Sequence, residues 1–148
     1  AINLIGSLSS HKVGCRILND NGVLELFSQL YLNSSYSDDL KTQMILRNLA
    51  KNGCIIPQVS LIISCLMQDM MNEQAKKTSI LDTLVALVEH YPQSVQEHDL
   101  QYIVLRELTD ENPLLVLLTL RLFHACDSNI GVNSFIIKHF IIVVSRNH

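Results

Sequence analysis

The segment Met44-Ile45-Leu46-Arg47-Asn48-Leu49-Ala50-Lys51-Asn52-Gly53 has the pattern of a helix that ends at a glycine. Its apolar residues recur at helical spacing, and glycine is the residue found most often just after a helix. Before it, Ser37 or Asp38 can cap a helix, because a side-chain oxygen there accepts from the free amides of the first turn. The pattern predicts a helix over 38–52 that carries Leu40, Met44, Ile45 and Leu49.

Two further helices are predicted directly before this one. Asn19-Asp20-Asn21-Gly22 contains residues suited to a helix stop and a sharp turn, so one helix covers about 12–20 and the next begins near Val23. The second of these ends at Tyr31 or Leu32. The apolar side of the first contains Val13, Ile17 and Leu18, and the second is expected to bury Leu24, Phe27, Leu30 and Tyr31.

The rest of the chain repeats the same start and stop signals. Proline fits the first turn of a helix, where its missing amide proton is not needed, so Pro57 and Pro113 mark helix starts. Asn72 is suited to cap a helix, and Pro92 ends one. The helices predicted outside the central region cover 1–9, a segment from Pro57 to Met71, 73–91, a segment from Ser94 through Leu108, 114–126 and 132–145.

Helical spacing also predicts which side chains of the later helices face the core. Leu115–Leu120 and Phe135–Val144 also suit buried strands, but the alternating cap and stop signals favour helices. Met67, Met70 and Met71 suit either core filling or an adaptable binding surface. The side chains predicted to be buried after Pro57 are Leu61, Ile62, Cys65, Leu66, Ile80, Leu81, Leu84, Leu87 and Val88.

Several apolar pairs recur at a similar spacing along the chain. Ile45/Leu49, Leu84/Val88 and Leu118/Leu122 can be aligned at spacings of roughly 34–39 residues, which lie in the range of helical solenoids. Leu4/Leu8 precedes the first of these pairs by about 41 residues. Units of this kind bury their apolar faces against one another, so a stack of them makes one continuous core.

Two segments carry a family resemblance. Arg16–Phe27 is similar to the first and second helices of an armadillo repeat, and Leu46-Arg47-Asn48-Leu49-Ala50 resembles its third helix, including the Asn. In the later units the short first helix of the repeat is no longer recognisable, and Leu87 stands at the position of the Asn in the third unit. These later units therefore resemble two-helix HEAT repeats. The resemblance implies an all-α, right-handed α-solenoid, with residues 1–148 as a single armadillo-like domain.

The resemblance also implies a binding surface on the 38–52 helix. The third helices of armadillo proteins line a concave groove, where their Asn side chains bind the backbone of an extended peptide. Asn48 is the position that matches this role, and Lys41, Arg47 and Lys51 are expected on or beside the solvent face, where they would attract acidic partner segments. The alternative interpretation is an ordinary solvated helix face without a ligand.

The composition limits the classes of function. Charged residues make up 17% of the chain, below the usual value of about 25%, so we expect a segment of a longer protein whose neighbours cover some of its faces. Self-association through exposed helix ends is a related expectation. A net charge of −3 argues against nucleic-acid binding, and the apolar runs are shorter than the roughly 20 residues of a membrane span.

The reactive residue types form no recognisable catalytic or metal-binding pattern. The six histidines lack the H-x-x-x-H spacing of zinc sites, and no base is placed beside a nucleophile. We therefore predict no catalytic residues, no metal and no cofactor. The four cysteines, Cys15, Cys54, Cys65 and Cys126, are far apart, which favours reduced thiols over a disulfide framework.

The sequence thus predicts a non-enzymatic scaffold of stacked helical repeats that binds proteins or peptides. The alternatives are a structural spacer and a regulatory solenoid segment of a larger multidomain protein. Reduced thiols indicate a cytosolic or nuclear compartment, and of these two we predict the cytoplasm. Scaffolds of the centrosome, cilium and cytoskeleton contain repeats of this type, so the resemblance includes those places among the expected ones.

Overall fold

The computed structural model describes residues 2–33, 40–71, 76–92, 107 and 112–126. These ranges contain helices and turns and no strand, which confirms the all-α prediction for this part of the chain. The helices with described bounds are α1 (Ile2–Ser9), α2 (Lys12–Asp20), α3 (Val23–Asn33), α4 (Leu40–Lys51), α5 (Val59–Asp69), α6 (Lys77–His90) and α7 (Pro113–Cys126).

Each helix packs on close neighbours in the chain. α1, α2 and α3 contact one another in sequence order. α1 also packs on α4, α4 on α6 and α6 on α7, so these four helices form a row of successive contacts. On the other side, α3 packs on α5 and α5 on α6. α4 therefore lies between α1 and α6 and connects the two ends of the described structure.

The most completely buried side chains lie on α4 and α6. Leu46 and Leu49 of α4, and Leu84 of α6, are wholly inaccessible to solvent. Burying a leucine or isoleucine side chain stabilises a fold by about 1.5–3 kcal/mol, so α4 and α6 contribute much of the stability of the core. The other buried side chains of the two helices include Ile45, Ala50, Ile80, Leu81, Thr83, Val85, Leu87 and Val88.

The end of α4 confirms the predicted glycine stop. Gly53 has a left-handed backbone, with φ of 73°, and its N–H donates to the Ala50 carbonyl at 3.0 Å. The N–H of Cys54 donates to the Leu49 carbonyl, also at 3.0 Å. These two bonds are the common cap in which glycine adopts the left-handed conformation without steric strain.

The helix predicted over 12–20 and the helix start predicted near Val23 are confirmed by Lys12–Asp20 and Val23–Asn33. Of the starts predicted after Gly53 that the structure tests, one is right and two are wrong. α7 begins at Pro113, and Asn112 Oδ1 accepts from the Leu114 N–H at 3.0 Å, as a cap should. α5 begins at Val59 instead of Pro57, because Gln58 takes a left-handed conformation with φ of 57°. α6 begins at Lys77 instead of Glu73, since Lys76 has non-helical angles.

Some predicted features fall on residues outside the described ranges. These are the caps at Ser37, Asp38 and Asn72 and the helix over 132–145. The helix from Ser94 through Leu108 is also outside, apart from Glu107, which is helical. The right-handed solenoid and the single 1–148 domain stay predictions, since the described helices show the all-α class and their neighbour contacts only.

The predicted buried faces are partly wrong. α2 buries Gly14, Cys15 and Leu18 because it crosses α1 closely at Gly14, and this turns Val13 and Ile17 toward solvent. Cys65 is half-buried. The other side chains that were assigned to apolar faces and are exposed are Leu30, Leu40, Met44, Leu61 and Met71. The burial predictions that the structure confirms are Leu18, Leu24, Phe27, Tyr31, Ile45, Leu49, Ile62, Leu66, Met67, Met70, Ile80, Leu81, Leu84, Leu87 and Val88.

The close crossing at Gly14 gives a stability prediction. A Cβ atom at Gly14 would lie 2.0 Å from the Leu8 carbonyl oxygen, so Gly14→Ala must separate α1 from α2. We expect a loss of about 2 kcal/mol or more in the free energy of unfolding, measured in urea.

Gly6→Ala is the matched control, because its Cβ would meet the nearest atom, Ile45 Cγ1, at 3.8 Å. It should leave stability unchanged or raise it by up to about 1 kcal/mol through helix propensity. Equal stability of Gly14→Ala and the wild type would contradict the close crossing.

Candidate functional site

A groove between α4, α6 and α7 is one of the concave features of the described residues. It has a volume of about 600 Å³. We call it the basic groove, because four of its lining residues are lysine or arginine and one is acidic. The lining residues are Arg47, Lys76, Lys77, Thr78, Ser79, Asp82, Leu114, Leu117, Leu118 and Arg121.

Arg47 forms the α4 wall of the basic groove and is fixed there by α6. Its Nη1 donates to Thr83 Oγ1 at 2.8 Å, and a longer bond of 3.4 Å reaches the Ser79 carbonyl. Its Nε lies 3.6 Å from Asp82 Oδ2. The Arg47 side chain is only 19% exposed. The guanidinium therefore joins two helices as well as contributing positive charge to the groove.

The polar bonds of Arg47 continue into the core. Ser79 Oγ donates to the side-chain oxygen of Gln43, a buried residue of α4. Thr83, which is also buried, donates its hydroxyl to the Ser79 carbonyl at 2.8 Å. Buried polar groups require such partners, since leaving one unpaired costs about 1–3 kcal/mol. The network therefore fixes the position of α4 along α6.

The other cations differ in their availability. Lys77 Nζ lies 3.1 Å from Oε1 of the buried Glu107, so this ammonium is already neutralised. Arg121 is paired with Glu89 at 3.1 Å, but its side chain is 51% exposed and its guanidinium has further donors. Lys76, at the start of α6, is exposed. Lys76 and Arg121 are thus the cations most accessible to a ligand.

One wall of the basic groove is apolar. Leu114 and Leu117 of α7 line it and are exposed, Leu117 by 55%. Leu118 lies beside them and is buried. Positions three and four apart share a helix face, so Leu114, Leu117 and Arg121 present an apolar surface next to a cation. The groove therefore suits a ligand that combines carboxylates with apolar side chains.

The structure separates the four residues that the sequence assigned to a partner surface. Arg47 lines the basic groove, whereas Lys41 and Lys51 are exposed on α4 and are not among its lining residues. Lys41 Nζ donates to Asn3 Oδ1 of α1. Asn48 is half-buried, and its carbonyl accepts from the Asn52 side-chain amide at 3.0 Å. Their role in binding a partner stays a prediction.

Sequence reasoning missed Lys76, Arg121, Leu114 and Leu117. The spacing of Leu114, Leu117 and Arg121 places them on one side of α7, but the helix is apolar on several sides. Periodicity alone therefore did not distinguish its open side from its buried one. Lys76 contributes only because α6 begins one residue after it, which the sequence did not predict.

Within the described ranges, no three His, Cys, Asp or Glu side chains come together as metal ligands. None of the described helices has the length and apolar character that crossing a membrane requires. All four cysteines are free thiols, as predicted.

Comparison with protein-family models, with curated proteins and with solved structures finds no match for this chain. The resemblance to armadillo and HEAT repeats therefore stays a prediction. The features that indicate a function are the geometry of the basic groove and the contacts between the helices.

The bonds of Arg47 predict a structural role that Arg121 lacks. Arg47→Met removes the donors to Thr83 and Ser79 and should lower the free energy of unfolding by about 1–3 kcal/mol. Arg121→Met breaks an exposed ion pair and should lower it by less than about 1 kcal/mol. Chemical denaturation of both variants measures the difference, and equal losses would contradict the assignment.

Proposed function

We propose that this chain is a non-enzymatic segment of stacked helical repeats that binds acidic peptide segments of other proteins in the basic groove. The observation that carries the proposal is the combination of accessible cations with an exposed leucine surface on one concave feature. Arginine binds carboxylates through paired N–H donors, and apolar side chains add burial energy.

The order of helix contacts supports a repeat architecture. In a solenoid each unit contacts only its neighbours, so equivalent helices form rows. The successive contacts of α1, α4, α6 and α7 fit one such row, and the contact of α3 with α5 fits a second. A right-handed α-solenoid of armadillo- or HEAT-like repeats would place the basic groove along the row that contains α4.

The proposed ligand is an extended acidic peptide with one or two apolar residues. Lys76 and Arg121 would contact its carboxylates, while Leu114 and Leu117 would contact its apolar side chains. Arg47 would contribute positive charge from the groove wall without leaving its bonds to α6. We further propose a cytoplasmic location, which is supported by the four free thiols because that compartment keeps thiols reduced.

A structural spacer is the second candidate function, and one surface favours it. A crevice of about 310 Å³ between α1, α2 and α3 is lined almost entirely by apolar side chains, among them the exposed Leu4 and Ile17. Apolar surface of this kind suits packing against another helical segment. The spacer function predicts no selective binding in the basic groove, so the experiment below separates the two candidates.

The proposal predicts the result of a peptide-display selection on the immobilised chain. Peptides from a random library should be enriched in Asp, Glu and apolar residues. Synthetic versions of the enriched peptides should bind with a dissociation constant about tenfold higher for Lys76→Glu/Arg121→Glu, because charge reversal opposes their carboxylates. Fluorescence anisotropy measures the constants.

Lys41→Glu/Lys51→Glu is the matched control, because it makes the same change of charge on exposed lysines of α4 that lie outside the groove. It should bind like the wild type. The proposal would be overturned if the selected peptides were not enriched in Asp, Glu and apolar residues. It would also be overturned if they bound Lys76→Glu/Arg121→Glu as tightly as the wild type. Weaker binding to the control variant alone would move the site to the exposed side of α4.

A further inference from the structure

Two cysteines that are far apart in the sequence come together in space. Cys15 of α2 and Cys54, just after α4, line the same crevice of about 310 Å³. Cys15 also influences the pKa of the Cys54 thiol, as expected of two side chains that lie near each other. Cys15 is 2% exposed and Cys54 is 8% exposed, so the crevice is the route by which a small molecule reaches them. We call the two residues the thiol pair.

Surrounding bonds fix both members of the thiol pair. Cys15 Sγ donates to the Ser9 carbonyl at 3.3 Å, and Asn52 Nδ2 donates to the same oxygen at 2.9 Å. The Tyr91 hydroxyl donates to the Cys54 carbonyl and accepts from the Ile56 N–H at 3.2 Å. These bonds hold α2 and the turn after α4 in place beside the crevice that both cysteines line.

The mouth of the crevice is basic. Lys12, Arg16 and Asn19 of α2 line it and are exposed, and the half-buried Asn52 lines it as well. None of its described lining residues is acidic. Cations and amide donors of this kind attract carboxylates. A small anionic molecule is therefore the kind of reagent that the crevice favours.

We propose that Cys15 and Cys54 are a site of reversible covalent modification, at which a small carboxylate-bearing disulfide such as glutathione disulfide converts the thiol pair into a Cys15–Cys54 disulfide. Such a bond would join α2 to the turn after α4. It goes beyond the proposed peptide binding, since none of the residues of the basic groove takes part.

The chemistry balances in two exchange steps. The Cys54 thiol, the more exposed of the pair, loses its proton to water, and its sulfur attacks the oxidant. The disulfide bond of the oxidant breaks, and one glutathione leaves as a thiolate that takes up a proton. The deprotonated Cys15 sulfur then attacks Cys54 Sγ and displaces the second glutathione. Two protein thiols are oxidised, and one glutathione disulfide is reduced to two thiols.

Burial controls the rate of this reaction. Loss of solvation, with a smaller contribution from Cys15, raises the pKa of the Cys54 thiol to about 12. Since the thiolate is the nucleophile, the first step is slow at neutral pH. Its rate should rise by about tenfold for each pH unit up to the pKa. We therefore expect the thiol pair to be oxidised slowly at neutral pH.

The wild-type chain provides the first test. After incubation with glutathione disulfide at mildly alkaline pH, intact mass should fall by two hydrogen atoms, and non-reducing peptide mapping should join Cys15 to Cys54. Dithiothreitol should restore the original mass. Bridges between other cysteines, or unreacted Cys15 and Cys54 under conditions in which the guanidinium-unfolded chain is oxidised, would overturn the proposal.

Single variants test the order of the steps. Cys15→Ala should accumulate a glutathione adduct on Cys54, because the resolving thiol is missing. Cys65→Ala is the matched control; it lies on α5, does not line the crevice, and should form the bridge like the wild type. Circular dichroism checks that each variant is folded. An adduct that fails to form on Cys54 of folded Cys15→Ala would overturn the proposed order.

A charge-reversal pair tests the anionic oxidant. Lys12→Glu/Arg16→Glu should slow bridge formation by glutathione disulfide about threefold to tenfold relative to cystamine, a disulfide with two positive charges. The comparison of two oxidants removes any general change in thiol reactivity. An unchanged ratio would overturn the assignment of a carboxylate-bearing oxidant.

Discussion

Burial of α4 between α1 and α6 is the constraint on which the other features depend. Leu46 and Leu49 are wholly buried, so α4 has one rotation about its axis that satisfies both neighbours. That rotation directs Arg47 toward α6 and leaves Lys41 and Lys51 exposed. It also carries the chain through the Gly53 cap and places Cys54 against α2. One packing interaction thus positions a wall of the basic groove and a member of the thiol pair.

Hydrogen bonds fix the position of α4 along α6 more narrowly than apolar packing does. Apolar contacts between two helices tolerate small displacements along the axis, whereas a hydrogen-bond network is satisfied in one position only. The bonds that connect Gln43 and Arg47 of α4 with Ser79 and Thr83 of α6 impose this condition. The groove is therefore bounded by two helices in fixed register. A peptide that binds there would meet a wall that is already in place.

Much of the fold could be predicted from the sequence, and much less of the sites. Helical periodicity and glycine stops located the described helices, because these signals are local. The choice of buried face on α2 failed since it depends on how closely Gly14 approaches Leu8. The groove and the thiol pair were missed for a similar reason: Lys76 with Arg121, and Cys15 with Cys54, meet only through packing between distant segments. The sequence pattern of a single helix does not indicate which distant segments will contact it.

The successive contacts of α1, α4, α6 and α7 have a mechanical consequence. A force along this row passes through each interface in turn, so the softest interface determines how the row bends. The bond from Arg47 to Thr83 lies partly buried between α4 and α6, where dissolved ions screen it little. The Arg121–Glu89 pair between α7 and α6 is half exposed and is screened readily. Rising salt would therefore soften the row at α7 first, and its stiffness would depend on the ionic composition of its surroundings.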